Sequence, residues 1–399
     1  MRPGRSGSKQ ALGLNWTGKR VLLTGHTGFK GSWLALWLQG LGAELCGLAL
    51  KPPTATNLFE DAHVGQGMRS VIGEIRDAEL VRQVFLEHKP EVVFHLAAQP
   101  LVRASYADPL GTYATNVMGT AHVLDAARAV DTLRAVVVIT TDKCYENREW
   151  PWPYRETDRL GGFDPYSNSK ACAELVVSAY RNSFFHPREY SKHGVAIASA
   201  RAGNVIGGGD WAEDRLVPDV FRAFQQGRAV RIRNPLAIRP WQHVLEPLQG
   251  YLDVAANLLE NSVLGAEPWN FGPHPADARP VEWVVGELAR LWGQGARWEQ
   301  EPGHHPHEAQ TLKLDISKAA ERLNWHPRLH LAKALAITEA WYSERWQRER
   351  AGGKVEMRNF TEAQIRDYQL QDSGLCDGQE QRSCETSAAQ PNGEAFEQR

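Results

Sequence analysis

The segment VLLTGHTGFKGSWLALWL constrains this chain more than any other stretch. Arg20 to Thr24 (RVLLT) is short, β-branched and apolar, as a buried strand is, and Ser32 to Gly42 (SWLALWLQGLG) reads as a helix. Between them stand Gly25, Gly28 and Gly31. At such a junction one glycine makes the tight turn, one lets the backbone approach a pyrophosphate, and one lets the helix pack on the strand. The free N–H groups at the helix start then face the phosphates. The spacing is G-x-x-G-x-x-G rather than G-x-G-x-x-G. Its position, at the first strand–helix junction of a longer series, makes a dinucleotide site the expectation.

The series continues along the chain. Glu44–Leu50, Glu91–Leu96, Arg134–Thr140 and Val195–Ala200 read as strands, and residues 77–89, 109–129 and 164–185 read as helices. Strands alternating with helices predict an α/β fold, a Rossmann-like doubly wound parallel sheet covered on both faces. After Arg201 the texture changes to a glycine-rich loop followed by mixed helices and short strands rich in Pro and Trp, with helical patterns at 282–292, 316–323 and 331–348. The expected organisation is an extension over 1–14, a nucleotide-binding domain over 15–200 to which 235–260 returns, a smaller mixed α/β substrate domain over 201–348, and a polar, largely disordered tail over 349–399. Within that tail Phe360–Tyr368 can form a short helix with Thr361 as its cap.

Composition narrows the class of function. Lys plus Arg is 45 against 47 Asp plus Glu, a formal net charge of −2, which argues against nucleic acid as the main partner because such proteins carry a basic excess. Cys46, Cys144, Cys172, Cys376 and Cys384 are an odd set without C-x-x-C spacing, so neither a disulfide framework nor a metal site is expected. The basic N-terminal stretch lacks the apolar core of a signal peptide, and no apolar run is long enough to span a membrane. The expected compartment is the cytoplasm, with thiols reduced.

A second constellation is PYSNSKACAEL, where Tyr166 and Lys170 lie four apart and share a helix face. An ammonium beside a phenol favours phenolate and lowers its pKa, turning Tyr166 into a base that takes a hydroxyl proton. Thr141, Asp142 and Lys143 follow the strand 134–140, at the end of the sheet where ligands bind in such folds. Asp142 can hold a proton there if burial raises its pKa.

The glycine turn, HLAAQ at His95–Gln99 and YSNSK at Tyr166–Lys170 resemble the extended short-chain dehydrogenase/reductases. HTGFKGSWL (26–34), ITTDKCYEN (139–147), RAGNVIGGGDW (201–211) and RPWQHVLEP (239–247) narrow the likeness to the family of CDP-glucose 4,6-dehydratases, over roughly residues 15–346. The resemblance implies NAD as cofactor, CDP-glucose as substrate, a role in deoxysugar biosynthesis of the lipopolysaccharide O-antigen type, and a homodimer or homotetramer. It implies that C4 is oxidised with Tyr166 as base, that water leaves across C5 and C6, and that hydride returns to C6. Thr141, Asp142, Lys143, Tyr166 and Lys170 are then catalytic. Lys143 is either the C5 base or a charged stabiliser of the enolate. Gly25, Thr27, Gly28, Phe29, Gly31, Glu74, Ile75, Leu96, Ala97 and Ala98 hold the cofactor, with Tyr166 and Lys170; Asn204, Arg239 and His243 hold the substrate, the last two at its diphosphate. Lys51 stands where an acidic residue on the adenosine ribose is usual, which leaves NAD and NADP both open at that position. Trp211 either stacks on the base or belongs to the core. Lys30 at the helix start suits an anionic neighbour. A C4 epimerase or another nucleotide-sugar dehydratase of the same family, and a nucleotide-binding module without catalysis, are the alternative readings.

Overall fold

The computed structural model describes residues 14–301 and 311–371. Its centre is a seven-stranded sheet. The first strands in chain order are β1 (Arg20–Thr24), β2 (Glu44–Ala49), β3 (Arg69–Ile72), β4 (Val92–His95), β5 (Ala135–Ile139) and β6 (Ala196–Ala202); the seventh is Pro268–Phe271. The order across the sheet is Pro268–Phe271, β6, β5, β4, β1, β2, β3, with every neighbouring pair parallel. Successive side chains of a strand point to opposite faces, so Val21 and Leu23 enter one core and Leu22 the other. One face is covered by α1 (Phe29–Gly40) and the helix Leu245–Asn261, the other by the helices Ala78–His88, Gly119–Ala127 and Pro165–Ser183.

Local chemistry sets the helix ends. Asp77 caps Ala78–His88 through the amides of Glu79 and Leu80, and Lys89, in the left-handed region with φ of 51°, ends it ahead of Pro90. Asp164 accepts from the Ser167 amide and hydroxyl, with Pro165 in the first helical position, so the helix begins one residue before Tyr166. The expected single helix over 109–129 is instead broken. Val102–Ala107 and Pro109–Tyr113 are followed by a π-helical turn, Ala114–Met118, and then Gly119–Ala127. Two strands, β3 and Pro268–Phe271, escaped the sequence reading. They are the sheet edges, short and carrying Arg69, Ser70, Pro268 and Asn270, so neither has the apolar run that marks a buried strand.

The region after Arg201 adds three two-stranded pairs: Val205–Ile206 with Gln242–His243, Ile238–Arg239 with Arg279–Pro280, and Val230–Ile232 with Trp298–Gln300. The chain also re-enters the large sheet through Leu245–Asn261 and Pro268–Phe271, beyond the expected 235–260.

The tail reading is corrected over part of its length. Arg358–Leu370 is a helix packed on α1. Tyr368 meets Trp37 edge-on at 5.8 Å and donates to the Glu246 carboxylate at 2.8 Å. Thr361 is not the cap. It is wholly buried, takes the Trp341 indole N–H at 2.9 Å and donates to the Met357 carbonyl. A 3.6-residue spacing of Thr361, Ile365 and Tyr368 carries this helix, which extends two residues beyond the expected Phe360–Tyr368 at each end. The expected disorder over 371–399 and the extension over 1–14 fall almost wholly outside the described residues. Cys46, Cys144 and Cys172 are free thiols. No described helix is long and apolar enough to cross a membrane.

Candidate active site

The strand order reverses between β1 and β4, and the loops leaving those two strands bound a crevice at the carboxyl edge of the sheet. The glycine turn lines it. Gly25 has φ of +79°, and a Cβ there would come within 2.8 Å of the Ala97 amide nitrogen. A Cβ on Gly31 would reach 2.1 Å from the Gly25 carbonyl oxygen. Both positions therefore require glycine on steric grounds. Gly28 differs: its nearest neighbour would be the Gly25 oxygen at 3.4 Å, so a side chain would fill only the space above the turn. The Thr24 hydroxyl takes the Ala97 amide at 3.1 Å and meets His95 Nδ1 at 2.7 Å, tying the two loops together. His95 is bonded at Nε2 to Thr120, and burial holds it neutral, with a pKa lowered to about 3. Thr27 donates to the Leu50 carbonyl at 2.8 Å. Phe29, Leu96, Ala97 and Ala98 are half-buried at this rim.

The remaining cofactor candidates lie further along. Ile75 is buried against Gly119, and its carbonyl faces His122 at 3.2 Å, so its side chain serves the core. Glu74 is ion-paired with Arg76 at 2.8 Å, which holds its carboxyl below the usual range. Lys51 is exposed.

The second loop carries the reactive side chains. Thr141 is extended and caps a short turn, Asp142–Cys144. Its hydroxyl donates to Asp142 Oδ1 at 3.0 Å and also bonds the Tyr166 phenol. Asp142 is 1% exposed, and its Oδ2 has no hydrogen-bond partner. Burial raises its pKa, against the pull of Lys143, Thr141, Lys30 and Arg239. Lys143 is half-buried beside it. Lys170 reaches the Ile139 carbonyl at 3.2 Å, and burial lowers its pKa to about 8. Lys30 lies in the fields of Arg215, Asp142, Lys170 and Asp210, and burial lowers its pKa to about 7. Thr141, Asp142, Tyr166 and Lys170 therefore come together as the sequence suggested, and Lys30 and Arg239 join them.

Burial pushes the Tyr166 phenol up to about 12, against the pull of Thr141 and Arg215. One expectation is corrected. His243 does not face a diphosphate. It is wholly buried, edge-on to Trp33 at 6.0 Å, and burial lowers its pKa to about 3, so it carries no positive charge for phosphate. Trp211 is 7% exposed, edge-on to Tyr342 and covered by Arg345, which makes it core rather than a platform for a base. Asn204 is half-buried, its carbonyl taken by the Gln242 amide.

Several contributors were not read from the sequence. Arg215 sits just before the helix Leu216–Gln225 and is fixed to Asp210 at 2.8 Å. Nothing in its local pattern announces it. Asn116, in the π-helical turn, accepts from the Gln99 amide and donates to Ser169, linking the β4 loop to the Tyr166 helix. Such turns recur at functional sites. Glu174 was within reach of pattern reading, being four residues beyond Lys170 on the same face.

Comparison with known proteins agrees with this geometry. The family model described as GDP-mannose 4,6 dehydratase matches residues 22–257. The chain is 57% identical over 327 residues to CDP-glucose 4,6-dehydratase of Salmonella typhimurium, covering 82% of this chain and 91% of that one. It is 28% identical to UDP-glucose 4-epimerase of Mycolicibacterium smegmatis, covering 82% and 100%. The fold is shared with UDP-glucose 4-epimerase of Thermotoga maritima, at a TM-score of 0.69, 22% identity and coverage of 81% and 98%. It is shared also with dTDP-glucose 4,6-dehydratase of Bacillus anthracis, at 0.67, 22% and coverage of 82% and 98%. By its glycine crevice, its Tyr166–Lys170 helix and these likenesses, the chain belongs to the GDP-mannose 4,6-dehydratase family of the extended short-chain dehydrogenase/reductases.

Proposed function

We propose that this chain is an NAD-dependent CDP-glucose 4,6-dehydratase, a hydro-lyase that gives CDP-4-dehydro-6-deoxy-D-glucose. The observation that carries the reading is the convergence of a buried, half-unpartnered Asp142 with Tyr166, Lys170 and Lys143 beside a glycine-built crevice. The 57% identity to a protein of that name supports the choice of substrate.

The crevice fits a dinucleotide: Gly28 leaves above the turn the space that a Cβ would fill, and the first amides of α1 open on it. Gly25, Thr27, Gly28, Phe29, Gly31, Leu96, Ala97 and Ala98 would hold NAD there, which supplies a hydride acceptor at C4 and the hydride returned to C6. Tyr166 takes the proton of the sugar 4-hydroxyl, with Thr141 bonded to the phenol and Arg215 favouring the phenolate. Once C4 is a carbonyl the C5 proton is acidic; a neutral Lys143 takes it and returns it to C5 once hydride has reached C6. Asp142, whose burial favours the protonated acid, gives its proton to the departing 6-hydroxyl. Arg239, in Asp142's field, and Asn204 border the sugar nucleotide. Leu110, Met118 and Leu175, exposed by 81, 51 and 58%, support a homo-oligomer formed through these helices.

The test is purified protein offered CDP-, UDP-, GDP- and dTDP-glucose. A 4-keto-6-deoxy product, detected by its absorbance in alkali, should form fastest from CDP-glucose. Epimerisation at C4 without loss of water, or no turnover, refutes the reading. Lys143→Ala should keep cofactor affinity and abolish exchange of the C5 hydrogen with heavy water. Wild-type exchange in that variant removes Lys143 from the base role.

A further inference from the structure

Glu174 and Arg201 have no part in the chemistry above, yet both are 3% exposed at the side chain and 2.8 Å apart. Glu174 lies one helical turn beyond Lys170 on the face that carries Tyr166. Its Oε1 takes the Thr140 hydroxyl, and its Oε2 takes Ser199 at 2.7 Å and Arg201 at 2.8 Å. Lys170 grips the Ile139 carbonyl one residue earlier on the same strand end. Consecutive residues of the β5 end, immediately before Thr141–Asp142–Lys143, are thus held by two side chains of one helix. Arg201 extends the grip. It donates to the Tyr145 phenol at 2.8 Å and to the Glu156 carbonyl at 3.1 Å, and Tyr145 donates to Asn270 at 2.7 Å.

We infer that Glu174, held by Arg201, is a positioning residue that sets the Thr141–Lys143 turn against the Tyr166 helix and keeps Lys170 in its ammonium form. The inference rests on the reading of Tyr166 and Lys170 as the C4 proton-transfer pair.

The charges around Lys170 support it. Burial works against the ammonium, and Glu174 is the first of the groups that favour it. Cys144, on the turn after β5, follows, but burial pushes its thiol up, so it supplies no negative charge at neutral pH. His95 at the end of β4 is neutral, and Lys30 on α1 carries the same sign as Lys170. Burial also raises the Glu174 carboxyl, but Arg201 and the hydroxyls of Thr140 and Ser199 outweigh it and hold the group below the usual range. Glu174 is therefore an anion at neutral pH, beside a cation whose pKa would otherwise fall further.

Glu174→Gln alone leaves Arg201 as a buried, unpaired charge, which itself endangers folding. The decisive variant is E174Q/R201M, which removes both charges. The Lys170 titration is read in the full chain, without substrate, by competitive labelling with limiting acetic anhydride and mass spectrometry across pH. In the double variant the Lys170 pKa should fall by about one unit, and the alkaline limb of kcat should move down with it while KM for CDP-glucose changes little. Glu174→Asp, which keeps the charge, should restore most of the shift. A Lys170 titration superimposable on wild type in the double variant overturns the charge-holding role. Thr140→Val keeps both charges and removes only the hydroxyl tie. It should speed amide exchange of residues 141–145 about tenfold and lower kcat more than it raises KM. Unchanged exchange and kcat overturn the positioning role. Labelling and exchange need no turnover, so absence of activity on CDP-glucose strikes the functional reading alone.

Discussion

Asp142 and Glu174 are two buried carboxylates on adjoining elements, and they are built in opposite ways. Glu174 has a donor at each oxygen and a guanidinium 2.8 Å away, so its charge is matched and its pKa is low despite burial. Asp142 has Thr141 on one oxygen, nothing on the other, and a pKa raised by burial. The first holds structure. The second bears the desolvation of an incompletely matched charge, which is the condition for a group that must exchange a proton. Burial alone therefore says little about a carboxylate; the inventory of donors decides whether it is a brace or an acid.

The contrast breaks most visibly in turnover. Asp142→Asn should lower kcat by on the order of 10²–10⁴, the usual contribution of a positioned general acid, while its melting temperature stays level or rises because an unmatched buried charge is gone. A clear fall in melting temperature would put Asp142 on the structural side with Glu174. Glu174→Gln should do the reverse at the level of the fold, costing roughly 3–5 kcal/mol in urea unfolding because Arg201 loses its partner. A loss inside the error of the measurement would mean the pair is not the brace described.

Acid titration separates the two more finely. The folded pKa of Glu174 lies below 4.5, so its stabilisation is present above 4.5 and lost as pH falls through the folded value. The folded pKa of Asp142 lies above 3.8, so its contribution is full below 3.8 and lost as pH rises through the folded value. Stability of Asp142→Asn relative to wild type should accordingly climb as pH rises from 3.8 and then level off. That of Glu174→Gln should decline as pH rises toward 4.5 and level off above it. Parallel curves for the two variants would erase the distinction.

A third carboxylate gives the smallest effect. Glu246 takes the amides of Arg328 and Leu329 and the Tyr368 phenol, and burial raises its pKa to about 7. Tyr368→Phe should cost about 1 kcal/mol and raise the Glu246 pKa further. No change in stability across neutral pH would place the phenol outside the accounting of that group.

The parts of this protein that sequence reveals are those made from backbone. Gly25 and Gly31 are dictated by a turn that admits no Cβ, and glycine at a strand–helix junction is visible as letters. The helix face of Tyr166 and Lys170 is legible for a related reason: periodicity is local. What stayed hidden depends on packing between distant segments. The burial that pushes the Tyr166 phenol up comes from a core that no local pattern shows. His243 reads as a phosphate ligand in its motif and lies instead against Trp33, more than two hundred residues away. Arg215 reaches the site only because the chain after β6 folds back over it. The helix over Phe360–Tyr368 is visible as a local pattern, but its docking on α1 is not, because Tyr368 meets Trp37 only in the fold.

That last contact has a consequence for the order of events in synthesis. The outer face of α1, with Trp37, is among the first surfaces to leave the ribosome, and Tyr368 that covers it emerges some 330 residues later. The same seam is closed by Arg345 with Asp61 and by Arg358 with Gln39. Contacts this distant along the chain form slowly, and surface left waiting for them is open to misassociation. The nucleotide-binding half can thus acquire its strands early and its outer covering only late, which makes a nascent chain halted before Arg358 the species most in need of a chaperone.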